Sequence, residues 1–244
     1  MSLTTYLGFH LTFLVPALLV LSAVATTGSR TASSDVRWSG VAIVTVVALA
    51  YTVPWDNYLI QRGVWWYGEG AVAATLWHAP VEEYLFMLVQ PLVAALWLDR
   101  VTRADDSDGA DQSSLSPRAR ALGAAAGVGV GAVGVALLTG RQTLYLGAIL
   151  GWAGPVLALQ WGFGWTQLWV RRRTLVVAVA VPTAYLWMID WLALRNGIWT
   201  LAPAYTTGWT LLGLPIEEAT FFLATNLFVV QGLLLYDWVL DRWE

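Results

Sequence analysis

Seven stretches of the chain, near residues 3–25, 38–54, 79–98, 119–139, 144–169, 174–193 and 213–236, are apolar for long enough to cross a bilayer as a helix. A hydrocarbon core about 30 Å thick takes roughly 20 residues of helix. Inside it every backbone polar group needs a partner within the protein, which a helix supplies from its own turns. The residue balance agrees, with 58% hydrophobic and only 12% charged residues, about half the charge of an ordinary soluble domain. The expected fold class is an all-α, polytopic membrane protein of about seven transmembrane helices. A net charge of −3 argues against a nucleic-acid partner. The absence of cysteine removes disulfides, thiolate nucleophiles and iron–sulfur clusters. With two histidines, His10 and His78, any metal site would have to be mainly oxygen-liganded, and none is assigned.

The arginines set the orientation. All 13 basic residues are arginine. With the N-terminus outside, Arg30, Arg37, Arg100, Arg103, Arg118, Arg120, Arg171, Arg172, Arg173 and Arg242 fall on the cytoplasmic side. Only Arg62, Arg141 and Arg195 fall outside, the asymmetry that positive-inside loops produce. The expectation is a multi-pass cell-membrane protein with its C-terminus in the cytoplasm. Ala23-Val24-Ala25 resembles a signal cleavage site, but no basic region precedes the first apolar run, which is read as a helix. The loop near 99–118, with Asp105, Asp106, Asp108 and Asp111 among Ser and Gly, reads as a flexible cytoplasmic linker.

Two familiar chemistries are excluded. A seven-helix retinal photoreceptor needs a lysine for its Schiff base, and the chain has none. Gly129-Val130-Gly131-Ala132-Val133-Gly134 fits a dinucleotide fingerprint but lies inside an uncharged apolar run with no strand before it. Gly123, Gly127 and Gly131, spaced by four, read instead as a helix-packing face.

The first three spans and the last three repeat each other. Tyr6-Leu7 and Pro16 recur as Tyr145-Leu146 and Pro155 at an offset of 139. Asp56, Gly63 and Trp65 recur as Asp190, Gly197 and Trp199 at an offset of 134. Pro80-Val81-Glu82-Glu83 recurs as Pro215-Ile216-Glu217-Glu218 at an offset of 135, followed by Phe86 in one copy and Phe221-Phe222 in the other. Drifting offsets are what loop-length changes leave in an old duplication. Two parallel three-helix repeats, 1–99 and 144–244, joined by an acidic linker and a Gly-rich helix over 100–143, predict a site shared across an axis along the membrane normal.

Carboxylates at the starts of two membrane helices are costly and read as functional, although Pro followed by Glu is also an ordinary way to begin a helix. Neighbouring helical residues point about 100° apart, so one glutamate of each pair is expected to be structural. Arg62 and Arg195, in matching outer loops, are expected to pair with one glutamate each and hold it ionised. Asp56 and Asp190, placed just past the ends of helices two and six, are site candidates or interfacial caps. His78, whose counterpart is Gly213, is a pocket candidate, with a hydrogen-bonded interfacial histidine as the stronger reading. Trp65 and Trp199 stand among outer-loop aromatics that serve mostly as an interface belt, and some of these could wall a pocket that tolerates cations.

The doubled Pro-x-Glu-Glu motif, each copy leading an aromatic-rich helix of a three-helix unit, resembles the membrane-embedded lycopene cyclases. The resemblance covers essentially the whole chain and matches the tandem archaeal form. The bacterial units are separate subunits, and the fungal ones are fused to phytoene synthase. It implies a lycopene β-cyclase, an isomerase that closes β-ionone rings by acid/base catalysis without a cofactor. Its substrates would be lycopene and γ-carotene drawn from membrane lipid, and other carotenoid enzymes would be its associates. Glu82, Glu83, Glu217 and Glu218 carry over as the catalytic motif, with Asp56, Arg62, Asp190, Arg195, His78, Phe86, Phe221, Phe222, Trp65 and Trp199 as supporting candidates. Ala219-Thr220 stands where the first copy has Tyr84-Leu85, so the two units are not equivalent. Which glutamate is the acid stays open at this level. The alternatives are a carotenoid hydratase, a C50-carotenoid cyclase, or a small transporter or lipid-binding membrane protein.

Overall fold

The computed structural model describes residues 5–27, 36–104 and 116–243. Arg30 and the acidic residues Asp105, Asp106, Asp108 and Asp111 lie outside them. The elements run α1 (Tyr6–Phe9), a π-helical turn (His10–Leu14), α2 (Val15–Thr27), α3 (Trp38–Gln61), β1 (Trp65–Tyr67), β2 (Thr75–Leu76), β3 (Ala79–Pro80), α4 (Val81–Arg103) and α5 (Pro117–Leu137). They continue with α6 (Leu144–Val170), α7 (Arg172–Arg195), β4 (Trp199–Leu201), β5 (Thr210–Leu211), β6 (Leu214–Pro215) and α8 (Ile216–Trp243). With α1, the π turn and α2 counted as one span, Tyr6–Ala25, seven helices among the described residues are long and apolar enough to cross a membrane. The protein is an all-α polytopic membrane protein.

Helix α3 departs from the expected boundary. Pro54 lies inside it rather than near its end, and the helix continues to Gln61. Neighbouring helices make such a proline tolerable within a membrane. Asp56 is therefore held inside a helix and buried, not placed past its end, and Asp190 is likewise inside α7. The last helix begins at Ile216 rather than near 213, because Leu214-Pro215 form a strand.

The loops that follow α3 and α7 meet on one side of the bundle. Strand β1 pairs antiparallel with β4 in the register Trp65↔Leu201, Trp66↔Thr200 and Tyr67↔Trp199. Residues 66 and 200 differ by the same offset of 134 that relates Trp65 to Trp199, so each central residue faces its own counterpart and a local two-fold passes between them. Other equivalent bonds obey this relation. The Tyr6 N–H donates to the Ala71 carbonyl (2.7 Å), as Tyr145 N–H does to Tyr205 (3.1 Å). Tyr51 Oη donates to the Trp152 carbonyl (2.8 Å), as Tyr185 Oη does to Phe13 (2.9 Å). Each loop then folds into a two-residue hairpin, β2–β3 or β5–β6, that runs directly into α4 or α8.

Mid-bundle, Gln90 of α4 donates to Asn226 of α8 (2.8 Å), which donates to Thr183 of α7 (3.1 Å). Buried amide and hydroxyl contacts of this kind hold membrane helices together where the hydrophobic effect between them is absent. Helix α5 packs chiefly on α6. A Cβ at Gly123, Gly127 or Gly134 would run into the α6 backbone, while Gly131 sits close to Gly154. The glycine run is thus a packing face, as its spacing indicates.

Candidate active site

The first turn of α4 and of α8 separates the two glutamates of each motif. Glu82 is fully buried, and its Oε1 accepts the Ala73 N–H at 2.8 Å. Glu217, also fully buried, accepts the Thr207 N–H at 2.7 Å and the Thr207 hydroxyl at 2.8 Å. Residues 73 and 207 are related by the offset of 134, so both glutamates brace the same point of the loop ahead of each hairpin.

Glu83 and Glu218, one position on and about 100° around the helix, face a cavity of about 60 Å³ between the two halves. Asp56 from α3 and Asp190 from α7 face the same cavity, which makes four carboxyl groups, two from each half. Both oxygens of Asp190 and Oδ2 of Asp56 are buried with no hydrogen-bond partner. The described ion pairs lie elsewhere, joining Arg37 to Asp237 and Asp241 and Arg103 to Asp99. Four charges in a poorly solvated space, with no arginine and only His10 as a basic group among the described residues that line it, would repel strongly. Sharing protons among its members would relieve that repulsion.

Tyrosines differentiate the two glutamates. Tyr67 Oη donates to Glu83 Oε1 at 2.7 Å, and the Trp65 indole N–H donates to Tyr67 Oη at 3.0 Å. Burial, and next the field of Glu83, pushes the Tyr67 phenol well above its usual pKa, so it stays a donor. Tyr6 also faces Glu83. Glu218 accepts from Tyr145 Oη at 3.0 Å. The walls are aromatic: Trp55 stacks on Phe221 with ring centroids 5.9 Å apart, and Phe86 meets Phe222 edge-on at 5.9 Å. Trp65 and Trp199 line the cavity too, so both are wall residues rather than belt residues.

Three expectations fail here. Arg62 is exposed and donates to Tyr58 Oη at 2.8 Å, and Arg195 is exposed with its guanidinium over the Trp191 ring at 4.1 Å. Neither pairs with a glutamate: Arg62 caps α3 and Arg195 closes the last turn of α7, both exposed, whereas the glutamates lie in the first turns of α4 and α8. His78 is exposed at a hairpin tip, where its backbone N–H is held by Asn57 Oδ1 at 2.8 Å. The histidine in the cavity is His10, in the π turn, with Nδ1 3.0 Å from the Tyr6 carbonyl. Its signal was the spacing of four from Tyr6, which places both on one face of the first span. Tyr67 and Asn57 were also missed, since it is the fold of the loop between α3 and α4 that brings them to Glu83 and to the hairpin at His78.

The lycopene cyclase family model matches residues 4–100 and 142–237, the two halves without the connecting helix. The chain belongs to the lycopene cyclase family. It is 50% identical over 243 residues to the lycopene beta-cyclase of Halobacterium salinarum, covering 99% of both chains. It is 30% identical to the bifunctional lycopene cyclase/phytoene synthase of Aspergillus oryzae and 32% identical to that of Podospora anserina, spanning about 40% of each of those longer proteins. No solved structure matches it.

Proposed function

We propose that this protein is a lycopene β-cyclase in which the two halves form one acid/base site, with Glu218 as the acid and Glu83 as the base. The observation that carries this reading is the aromatic cavity that takes two carboxyl groups from each half. Glu218 gives a proton to C2 of the terminal double bond, leaving a cation at C1. The C5=C6 pair closes the C1–C6 bond and moves the cation to C5. Glu83 then takes the C6 proton, and those electrons restore the C5=C6 double bond of a β-ionone ring. Nothing is oxidised or reduced, and no cofactor enters the balance.

The role split follows from the donors. A carboxylate that accepts hydrogen bonds is favoured in its charged form. Glu83 has Tyr67, itself polarised by Trp65, and faces Tyr6, whereas Glu218 has Tyr145. The faces of Trp55 and Phe221 suit the migrating cation. Each turnover leaves a proton on Glu83 and removes one from Glu218, and Asp56 and Asp190 bridge the return. Lycopene and then monocyclic γ-carotene are the substrates.

The three-part division at 1–99, 100–143 and 144–244 is part of the same reading. The arginine asymmetry supports an orientation with the hairpins and N-terminus outside and the C-terminus in the cytoplasm. Expression in cells that accumulate lycopene, with chromatographic separation of the extracted pigments, tests the activity. β-Carotene is expected. Unchanged lycopene with the protein present in the membrane would overturn the reading.

A further inference from the structure

A second cavity, of about 340 Å³, opens on the flank of the bundle between α3 and α6, with α4 and α8 behind it. Val44, Ala48, Met87, Pro155, Thr225 and Gly232 are among its lining residues. Of the two amides on its wall, Gln90 directs its nitrogen to Asn226 and Gln160 to the Phe228 carbonyl at 2.9 Å. The rim consists of Ile43, Val47 and Leu159, all large, apolar and more than half exposed, as a mouth onto lipid requires. Phe86 and Phe221 line both cavities, so the groove abuts the space that holds the four carboxyl groups, with these two rings between them.

We infer that this groove seats the polyene chain of the substrate, so that one end group at a time passes Phe86 and Phe221 into the carboxylate cavity. The inference rests on reading that cavity as the cyclisation site. From Glu218 to Gly232 the α8 axis covers roughly 20 Å at 1.5 Å per residue, about two-thirds of the hydrocarbon thickness. The groove therefore suits a long, thin, apolar molecule lying along the membrane normal. A saturated acyl chain would fit the groove but bring no reactive end to the carboxyl groups. A rigid conjugated chain also lies well against Phe, Tyr and Trp faces such as the Tyr51–Trp152 stack at 5.9 Å. Gly232 keeps the groove open, since a Cβ there would meet Val44 at 3.3 Å. A linear substrate seated this way presents one terminus only. The second ring requires the half-cyclised molecule to withdraw and return reversed, so γ-carotene leaves as a free intermediate.

The test fills the groove in graded steps, Ala48→Val, Ala48→Leu and Ala48→Phe, with Thr225→Phe from the opposite wall. Val46→Phe, on the exposed side of α3 outside the groove, is the control. Each variant is brought to equal membrane levels and assayed for pigment conversion and, in detergent, for the circular dichroism that bound lycopene acquires. Conversion and bound-lycopene signal should fall together as the side chain grows, by about tenfold or more for the phenylalanines, on the scale that overfilling a packed space produces. Val46→Phe should match wild type, and Glu218→Gln should keep the signal while losing conversion. Wild-type conversion by the phenylalanine variants would overturn the groove while leaving the cyclase reading intact. A copurified lipid that lycopene fails to displace would overturn it too. Failure of wild type and Val46→Phe to convert lycopene would overturn the cyclase reading, and the groove with it.

Discussion

The two halves agree where they hold the scaffold and differ where they face the cavity. Glu82 and Glu217 brace equivalent loop positions, and Tyr51 and Tyr185 donate to equivalent carbonyls inside neighbouring helices. At the cavity the first half has Tyr67 where the second has Leu201, related by the offset of 134. The single replacement redirects a chain of donors. In the first half the Trp65 indole reaches Tyr67, and Tyr67 reaches Glu83. In the second half Leu201 offers no phenol to take that place, and Trp199 faces Asp190. Symmetric packing places two carboxyl groups at one cavity, and a local departure from symmetry gives them different hydrogen-bond donors, which is what the proposed acid and base require.

The largest effects should come from the cavity glutamates. Glu83→Gln and Glu218→Gln should each lower conversion of lycopene by roughly 100-fold or more, the usual weight of a positioned acid or base. Equal expression and an unchanged thermal midpoint in detergent would assign the loss to chemistry. Tyr67→Phe comes next. Removing a hydrogen bond to a charged group costs about 1.5–3 kcal/mol, so initial rates should fall about tenfold or more. Tyr145→Phe, which removes a donor from the acid, should stay within about threefold, below the scale of a charged hydrogen bond. The reverse order would exchange the two glutamates' roles.

The bracing glutamates should behave in the opposite way. Glu82→Gln and Glu217→Gln keep an acceptor for the loop and should convert lycopene within a few-fold of wild type. Their alanine variants should lose stability, about 1 kcal/mol at position 82 and up to about 3 at position 217, where two donors are orphaned rather than one. Thermal unfolding in detergent reads this difference directly. A Glu82→Gln variant that is stable but inactive would move that residue into the chemistry.

Span count, duplication and the four motif glutamates were legible because each is written in local pattern: apolar length, a fixed offset, and Pro-x-Glu-Glu. The division of labour within each pair was legible in kind, since adjacent helical residues diverge by about 100°. Which member turns inward depended on the hairpin packed before the helix. Tyr67 was hidden for a different reason. Its role arises from the fold of the loop between α3 and α4, which brings its hydroxyl back to Glu83, 16 residues on. In the sequence it is one more aromatic in an outer loop. His10 was overshadowed by His78, which lies closer to the motif but points away from the cavity.

The smallest predicted effects belong to the outer arginines, whose charge made them attractive as partners for the glutamates. Arg62 has only an exposed bond to Tyr58, one turn back on its own helix. Arg62→Gln should change stability by less than about 0.5 kcal/mol, as exposed substitutions usually do. Arg195 gains more from its position over Trp191, and Arg195→Gln should cost about 0.5–1 kcal/mol, the worth of an exposed cation–π contact. Conversion of lycopene should be unchanged in both, because neither guanidinium reaches the carboxyl cluster. A large loss of turnover in the double variant at full stability would mean that a cation does balance the four carboxyl groups. The cluster would then not need to retain protons, and the division into one acid and one base would have to rest on the arginines instead of on Tyr67.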